Sequence, residues 1–144
     1  MTSTPSSMNL RLTLLLPAIF LMGCKTADQT FDDALYRHAS MLPSQTIAVS
    51  LYDNGKLLRE KRFKGDSPNA KAFIALISDR SRRWRYDRWI SYAPEFDIAS
   101  DGLRVNASGS MIIVNMRLPN GRHKQFVSSS PDADTAFKAA FDFD

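Results

Sequence analysis

Four groups of residues have types and spacing that could do chemistry. Cys24 is the sole cysteine of the 144-residue chain. A thiolate can act as a nucleophile, a metal ligand or the acceptor of a modifying group, and without a second cysteine an internal disulfide is excluded. The two histidines, His38 and His123, are the natural general bases. His38 falls at the buried margin of an expected helix, where a histidine satisfied by its neighbours is the ordinary reading. His123 stands between the cations Arg122 and Lys124 and has no acid close by in sequence. Glu95 and Asp97 are two carboxylates two residues apart. Such pairs can do acid–base work, but the spacing is equally that of solvated surface acids. The fourth group is the run Asp79-Arg80-Ser81-Arg82-Arg83-Trp84-Arg85-Tyr86-Asp87-Arg88-Trp89, with five arginines, two tryptophans and a tyrosine in eleven residues. Arginine pairs bidentately with carboxylate and phosphate and stacks on aromatic faces, and arginine with Trp and Tyr is the composition of interface anchors.

The chain has no Gly-x-Ser-x-Gly elbow, no phosphate-cradling glycine loop and no His-Glu-x-x-His pair. A zinc site would require both histidines together with carboxylates. The sequence therefore predicts a non-catalytic protein with no cofactor and no metal. Arg80, Arg82, Arg83, Trp84, Arg85 and Arg88 are its candidate partner-binding residues, suited to an acidic partner. The opposing reading keeps Trp84 and Trp89 in the core, with the arginines solvated or paired to Asp79, Asp87 and the C-terminal acids Asp132, Asp134, Asp142 and Asp144.

Cys24 ends a short apolar run. Arg11 precedes it, Pro17 interrupts it, and the run of about a dozen residues is shorter than the roughly 20 that span a bilayer as a helix. A single positive charge, an apolar core and a small residue before the cysteine are the parts of an export signal, and they are not those of a core helix. Leu21-Met22-Gly23-Cys24 resembles the lipobox of bacterial lipoproteins. That resemblance implies cleavage before Cys24, a diacylglycerol thioether on its sulfur and palmitate-type acylation of its new amino group. Two or more chains anchor stably where one binds reversibly. Lys25, in place of an Asp after the cysteine, implies by the family's sorting rule the outer membrane, facing the periplasm. Met8 would also begin a complete signal. The stretches Trp89, Tyr92-Ala93-Pro94, Val105-Asn106, Val114-Asn115 and Gln125-Phe126-Val127 look similar to small uncharacterised envelope lipoproteins, a resemblance that implies no activity.

On this reading residues 1–23 are a removed signal, 24–29 a lipidated tether and 30–144 one globular domain. The 19 Lys and Arg stand against 15 Asp and Glu. Loss of Arg11 with the signal leaves 18 against 15, too mild an imbalance for an obligate nucleic-acid binder. In an envelope compartment the expected partners are the membrane, through Cys24, and an acidic protein. The expected function is a lipid-anchored binding module of the immunity or inhibitor type. An outer-membrane or cell-wall maintenance factor is the alternative, and a small envelope hydrolase is a third.

The elements that must position these residues follow from periodicity. Thr30 as cap and Phe31, Ala34, Leu35 and His38 at helical spacing predict a helix over 31–41, stopped by Pro43. Ile47, Val49 and Leu51 alternate with polar or small residues, and Asn54-Gly55 predicts a tight hairpin to a return strand over 56–64. The charges in Arg59-Glu60-Lys61-Arg62 mark that strand as an edge. Ser67-Pro68 opens a helix expected to reach Arg80, with Ala70, Phe73, Ile74 and Ile77 as its stripe. About four strands are expected next, over 89–92, 103–107, 111–116 and 123–128, with 96–99 a further candidate, before a last helix carrying Ala133, Ala136, Phe137, Ala140 and Phe141. The fold class is α+β: an antiparallel sheet of about five to six strands with two or three helices packed on one face. The expected core is Phe31, Leu35, Ile47, Val49, Leu51, Phe73, Ile74, Ile77, Val105, Ile113, Phe137 and Phe141.

Overall fold

Asn54 and Gly55 both adopt positive φ, 48° and 77°, the geometry of a tight hairpin turn. They join β1 (Thr46–Asp53) to β2 (Lys56–Lys64). The computed structural model describes residues 23–87 and 94–143. Its further elements are α1 (Ala27–Met41), α2 (Pro68–Ile77), β3 (Arg85–Tyr86), β4 (Phe96–Ser100), β5 (Leu103–Ser108), β6 (Met111–Arg117), β7 (His123–Ser129) and α3 (Ala133–Ala140). The strands form one antiparallel sheet in the order β2-β1-β4-β5-β6-β7-β3. The α+β class is as expected, but the sheet has seven strands, more than the expected five to six. The additional ladder is β3. Its two residues, Arg and Tyr, are too few to show any alternation, and pairing with β7 (Arg85↔Val127, Tyr86↔Phe126) makes them a strand. The strand expected over 89–92 lies outside the described residues.

One row of side chains runs across the sheet as Val49, Ile98, Val105, Val114 and Phe126, all buried and in mutual register. Buried residues of all three helices join this row in a single cluster: Phe31 and Leu35 from α1, Phe73 and Ile77 from α2, Phe137 from α3. The adjacent row, Ser50, Asp97, Asn106 and Ile113, carries the opposite parity and is largely polar. Ile113, placed by sequence in the core, is buried on that other row and outside the main cluster, while Leu51 and Ile74 are only partly buried at the cluster's margin.

Helix boundaries shift for local reasons. Helix α1 starts at Ala27, four residues before the expected start, because Thr26 and Gln29 form a reciprocal capping box. Half of the expected 24–29 tether is thus helical, and Lys25 pairs with Asp33 across the first turns. Thr30, read as the cap, lies inside the helix with its hydroxyl on the Thr26 carbonyl. Helix α2 is capped by Ser67 and stops at Ile77 instead of reaching Arg80. There the Asp79 carboxylate takes the Ser81 N–H (2.8 Å), an Asx-type bond that competes with helical continuation.

A close approach constrains the β2–α2 corner. A Cβ on Gly65 would lie 1.6 Å from the Leu42 carbonyl oxygen, which is backbone and cannot swing aside. Gly65→Ala is expected to cost more than about 3 kcal/mol, in the severe tail of single substitutions. Gly109→Ala, at a positive φ of 55° with open space around it, should cost about 1–2 kcal/mol. Urea unfolding of the two variants checks the order.

Candidate functional site

The arginine segment begins where α2 ends, and its first task is structural. The Arg82 Nε donates to the Leu76 carbonyl at 2.8 Å, satisfying an oxygen of the last helical turn. Trp84 follows and turns inward. It is 6 % exposed and its ring stacks on Phe31 with centroids 3.9 Å apart and planes at 16°. Its backbone N–H donates to the Asp28 carboxylate at 2.6 Å. One residue beyond β3's start, Tyr86 places its hydroxyl on Thr30 Oγ1 at 2.8 Å and its ring under the Lys124 ammonium, 4.0 Å from the centroid. The segment is therefore pinned to α1 at two points.

This divides the six candidate residues. Trp84 belongs to the core, so the contact surface is not an arginine–tryptophan pair. Arg82 is partly buried and engaged with the helix end. Arg80, Arg83 and Arg85 are exposed. Arg88 lies outside the described residues, as does Trp89. Ion pairs among the described residues join Lys25–Asp33, Arg62–Glu60, Arg104–Asp97 and Arg117–Asp101, and none involves Arg80, Arg83 or Arg85. The acids beside the segment are also not those expected from the C-terminus. A small cleft of about 230 Å³ brings Asp28, Asp32 and Asp79 next to Arg80, Arg82 and Arg83. Asp142 instead accepts from the Asn69 amide. Sequence distance hid Asp28, which lies 56 positions from Trp84. Its place in the first turn of an amphipathic helix was the available signal.

The other candidates separate in space. Asp97 accepts two bonds from the Arg104 guanidinium (2.8 and 2.7 Å) and one from the Asn106 amide (2.9 Å). These bonds hold Arg104 above its ordinary pKa, and Asp97 is fully engaged rather than poised for acid–base work with the exposed Glu95. His123 lines an open groove of about 640 Å³ with Arg122, Lys124 and Tyr86. His38 is buried, and its Nε2 donates to the Arg117 carbonyl at 3.0 Å. Its Nδ1 is buried without a partner. Burial is the largest influence on it and lowers its pKa, and the cations of Arg37 and Arg117 act in the same sense. No nucleophile–base–orienter set is assembled by these contacts. Among the described residues no cluster of three metal-ligating side chains occurs, and no helix is long and apolar enough to cross a membrane. Cys24 is exposed just before the α1 capping box.

No family model, curated protein or solved structure matches the chain.

Two outcomes follow from this geometry. Asp28→Ala leaves the Trp84 N–H without its acceptor and should cost about 1–3 kcal/mol in urea unfolding, whereas Arg80→Ala and Arg83→Ala should stay within about 0.5 kcal/mol. For His38 the folded pKa lies below the unfolded value near 6.5. Between the two values the unfolded chain takes up a proton that the folded chain refuses, so stability falls as pH drops below about 6.5 and levels off below the folded pKa. His38→Gln, which keeps a donor for the Arg117 carbonyl, should remove that part of the pH dependence in thermal melts from pH 5 to 8.

Proposed function

We propose that the chain is a lipid-anchored module of the bacterial envelope that binds an acidic protein, in the manner of an immunity or inhibitor lipoprotein. The observation that carries the binding half is the state of Arg80, Arg83 and Arg85. They are exposed, without an ion-pair partner among the described residues, and held on a segment that Trp84 and Tyr86 fix to α1. A backbone already held in place costs less to order on binding, and its guanidiniums suit bidentate carboxylate recognition. The address rests on the Leu21-Met22-Gly23-Cys24 resemblance, and the exposure of Cys24 ahead of a capped helix is compatible with a membrane-proximal domain. The non-catalytic reading rests on Asp97 and His38 being committed to structural bonds.

Expressed from its own start in a Gram-negative host, the full chain should enter the membrane fraction with its mass shifted by cleavage and acylation. Cys24→Ser should abolish both changes. Isolation of the lipidated protein from envelope extract should recover one acidic partner in stoichiometric amount. The triple change of Arg80, Arg83 and Arg85 to Ala should weaken that binding roughly tenfold or more, and more so at low salt, where steering by exposed charge is strongest. Recovery of assembly machinery in place of a single partner would favour the maintenance role. Binding indifferent to the triple change would remove the arginine row from the account.

A further inference from the structure

The β2 edge of the sheet is an open ladder with a definite sign of charge. Gly65 donates to the Gln45 carbonyl, and Tyr52 donates to the Glu95 carbonyl on the other side of β1. With the observed register, these two bonds fix the phase of the whole ladder. Residues 47, 49 and 51 of β1 exchange hydrogen bonds with 63, 61 and 59 of β2, and residues 48, 50 and 52 turn toward β4. The backbone N–H and C=O groups of Glu60, Arg62 and Lys64 consequently point away from the sheet. Among the described residues the one backbone bond that reaches this edge is from the Ser67 N–H to the Lys64 carbonyl, 3.0 Å. Leu58 is skipped by the register, so a bulge ends the regular ladder at Arg59.

The side chains decide what this edge can accept. The strand carries Lys56, Arg59, Lys61, Arg62 and Lys64 against Glu60 alone. Lys61 is engaged by the carbonyls of Phe141 and Asp142 and lies over the Phe143 ring. A two-fold pairing of β2 with its own copy centred on residue 60, 61, 62 or 64 sets a charged side chain against itself, and centring on 63 sets Arg62 against Lys64. Like charges directly opposite are destabilising. We propose that β2 is a docking strand for an extended acidic segment of a partner protein, which adds as an eighth antiparallel strand. It hydrogen-bonds to Glu60 and Arg62 and sets carboxylates opposite Arg62 and Lys64. In strand addition the main chain supplies affinity and the side chains supply selection. The inference deepens the acidic-partner reading and rests on it only for the sign of the ligand's charge. Its site lies on a different sheet edge from Arg80, Arg83 and Arg85.

The test uses the full chain in a zwitterionic detergent and, as probe, an end-blocked nine-residue peptide of alternating Glu and Val. A second probe is the same peptide N-methylated along one edge, which keeps the charge and removes the ladder. Expected results are saturable binding of the first peptide, slowed hydrogen exchange at the Glu60 and Arg62 amides, and about tenfold or greater loss of affinity on N-methylation. Arg62→Pro removes an outward N–H that β1 does not use and should weaken binding similarly. The N-methyl comparison stands even if that variant folds poorly. Equal affinity of the two peptides, or protection that appears at residues 80–85 in place of β2, would overturn strand docking while leaving an acidic partner in place. Failure of every acidic peptide to bind at either edge would remove both readings.

Discussion

Phe31 lies flat against Trp84 and meets Phe126 edge-on at 5.3 Å. Through that contact the first turns of α1 are joined to both strands of the β3–β7 edge. Stacked aromatic pairs add about 0.5–1.5 kcal/mol beyond the area they bury, but the geometric consequence is larger than the energy. With Asp28 holding the Trp84 backbone and Thr30 taking the Tyr86 hydroxyl, the segment after α2 has no freedom to choose its path. It must cross to the far edge of the sheet and form β3. Only then can β4 return to the centre, beside β1, and β5, β6 and β7 wind back toward β3. The far end of α1 is fixed by a different kind of contact. The His38 imidazole bonds the Arg117 carbonyl and lies close under Gly102, where an added Cβ would meet its ring at 3.0 Å. An aromatic stack at one end and a buried imidazole at the other fix the two ends of α1. The helix connects the turn before β5 with the edge made by β3.

The arrangement leaves the molecule with two unlike surfaces. Three helices supply apolar side chains to one row of the sheet, and polar residues occupy the adjacent row. On that polar face the Asp97 carboxylate gathers two bonds from Arg104 and one from Asn106. Charge without an ion-pair partner among the described residues is displaced to the periphery: Arg80, Arg83 and Arg85 near one edge, and Lys56, Arg59 and Lys64 of β2 at the other.

Local periodicity carried much of this fold into view. The Asn54-Gly55 turn, the 56–64 return strand and its edge character are each set by neighbours a few residues apart, and all three are found. The stripes of α2 and α3 were legible for the same reason, although the end of α2 was placed three residues too far, at Arg80 instead of Ile77. The bond from Asp79 to Ser81 that ends it is a competition between side chain and backbone, and apolar spacing does not register such competition. What could not be read were contacts across long separations. Trp84 in an arginine run has the composition of an interface anchor. Its burial depends on Phe31, 53 positions away in the chain, and on a two-residue strand without a periodicity of its own. The site was therefore legible as a charge pattern and illegible as a surface. The sequence singles out the arginines as a group, but the fold decides which of the described ones face solvent.

The two edges of the sheet show how the same physics can be used in opposite ways. A strand edge exposes unpaired amides and carbonyls and invites further pairing. At β3 the exposure is limited by length, since two residues offer little ladder. At β2 nine residues remain, and length does not protect them. Protection there comes from charge and from the Leu58 bulge. Charge, unlike length, is selective. The lysines and arginines that keep two copies of this strand apart would attract an extended segment of opposite sign. An edge carrying net positive charge therefore opposes most pairings of its basic half with itself while remaining open to acid.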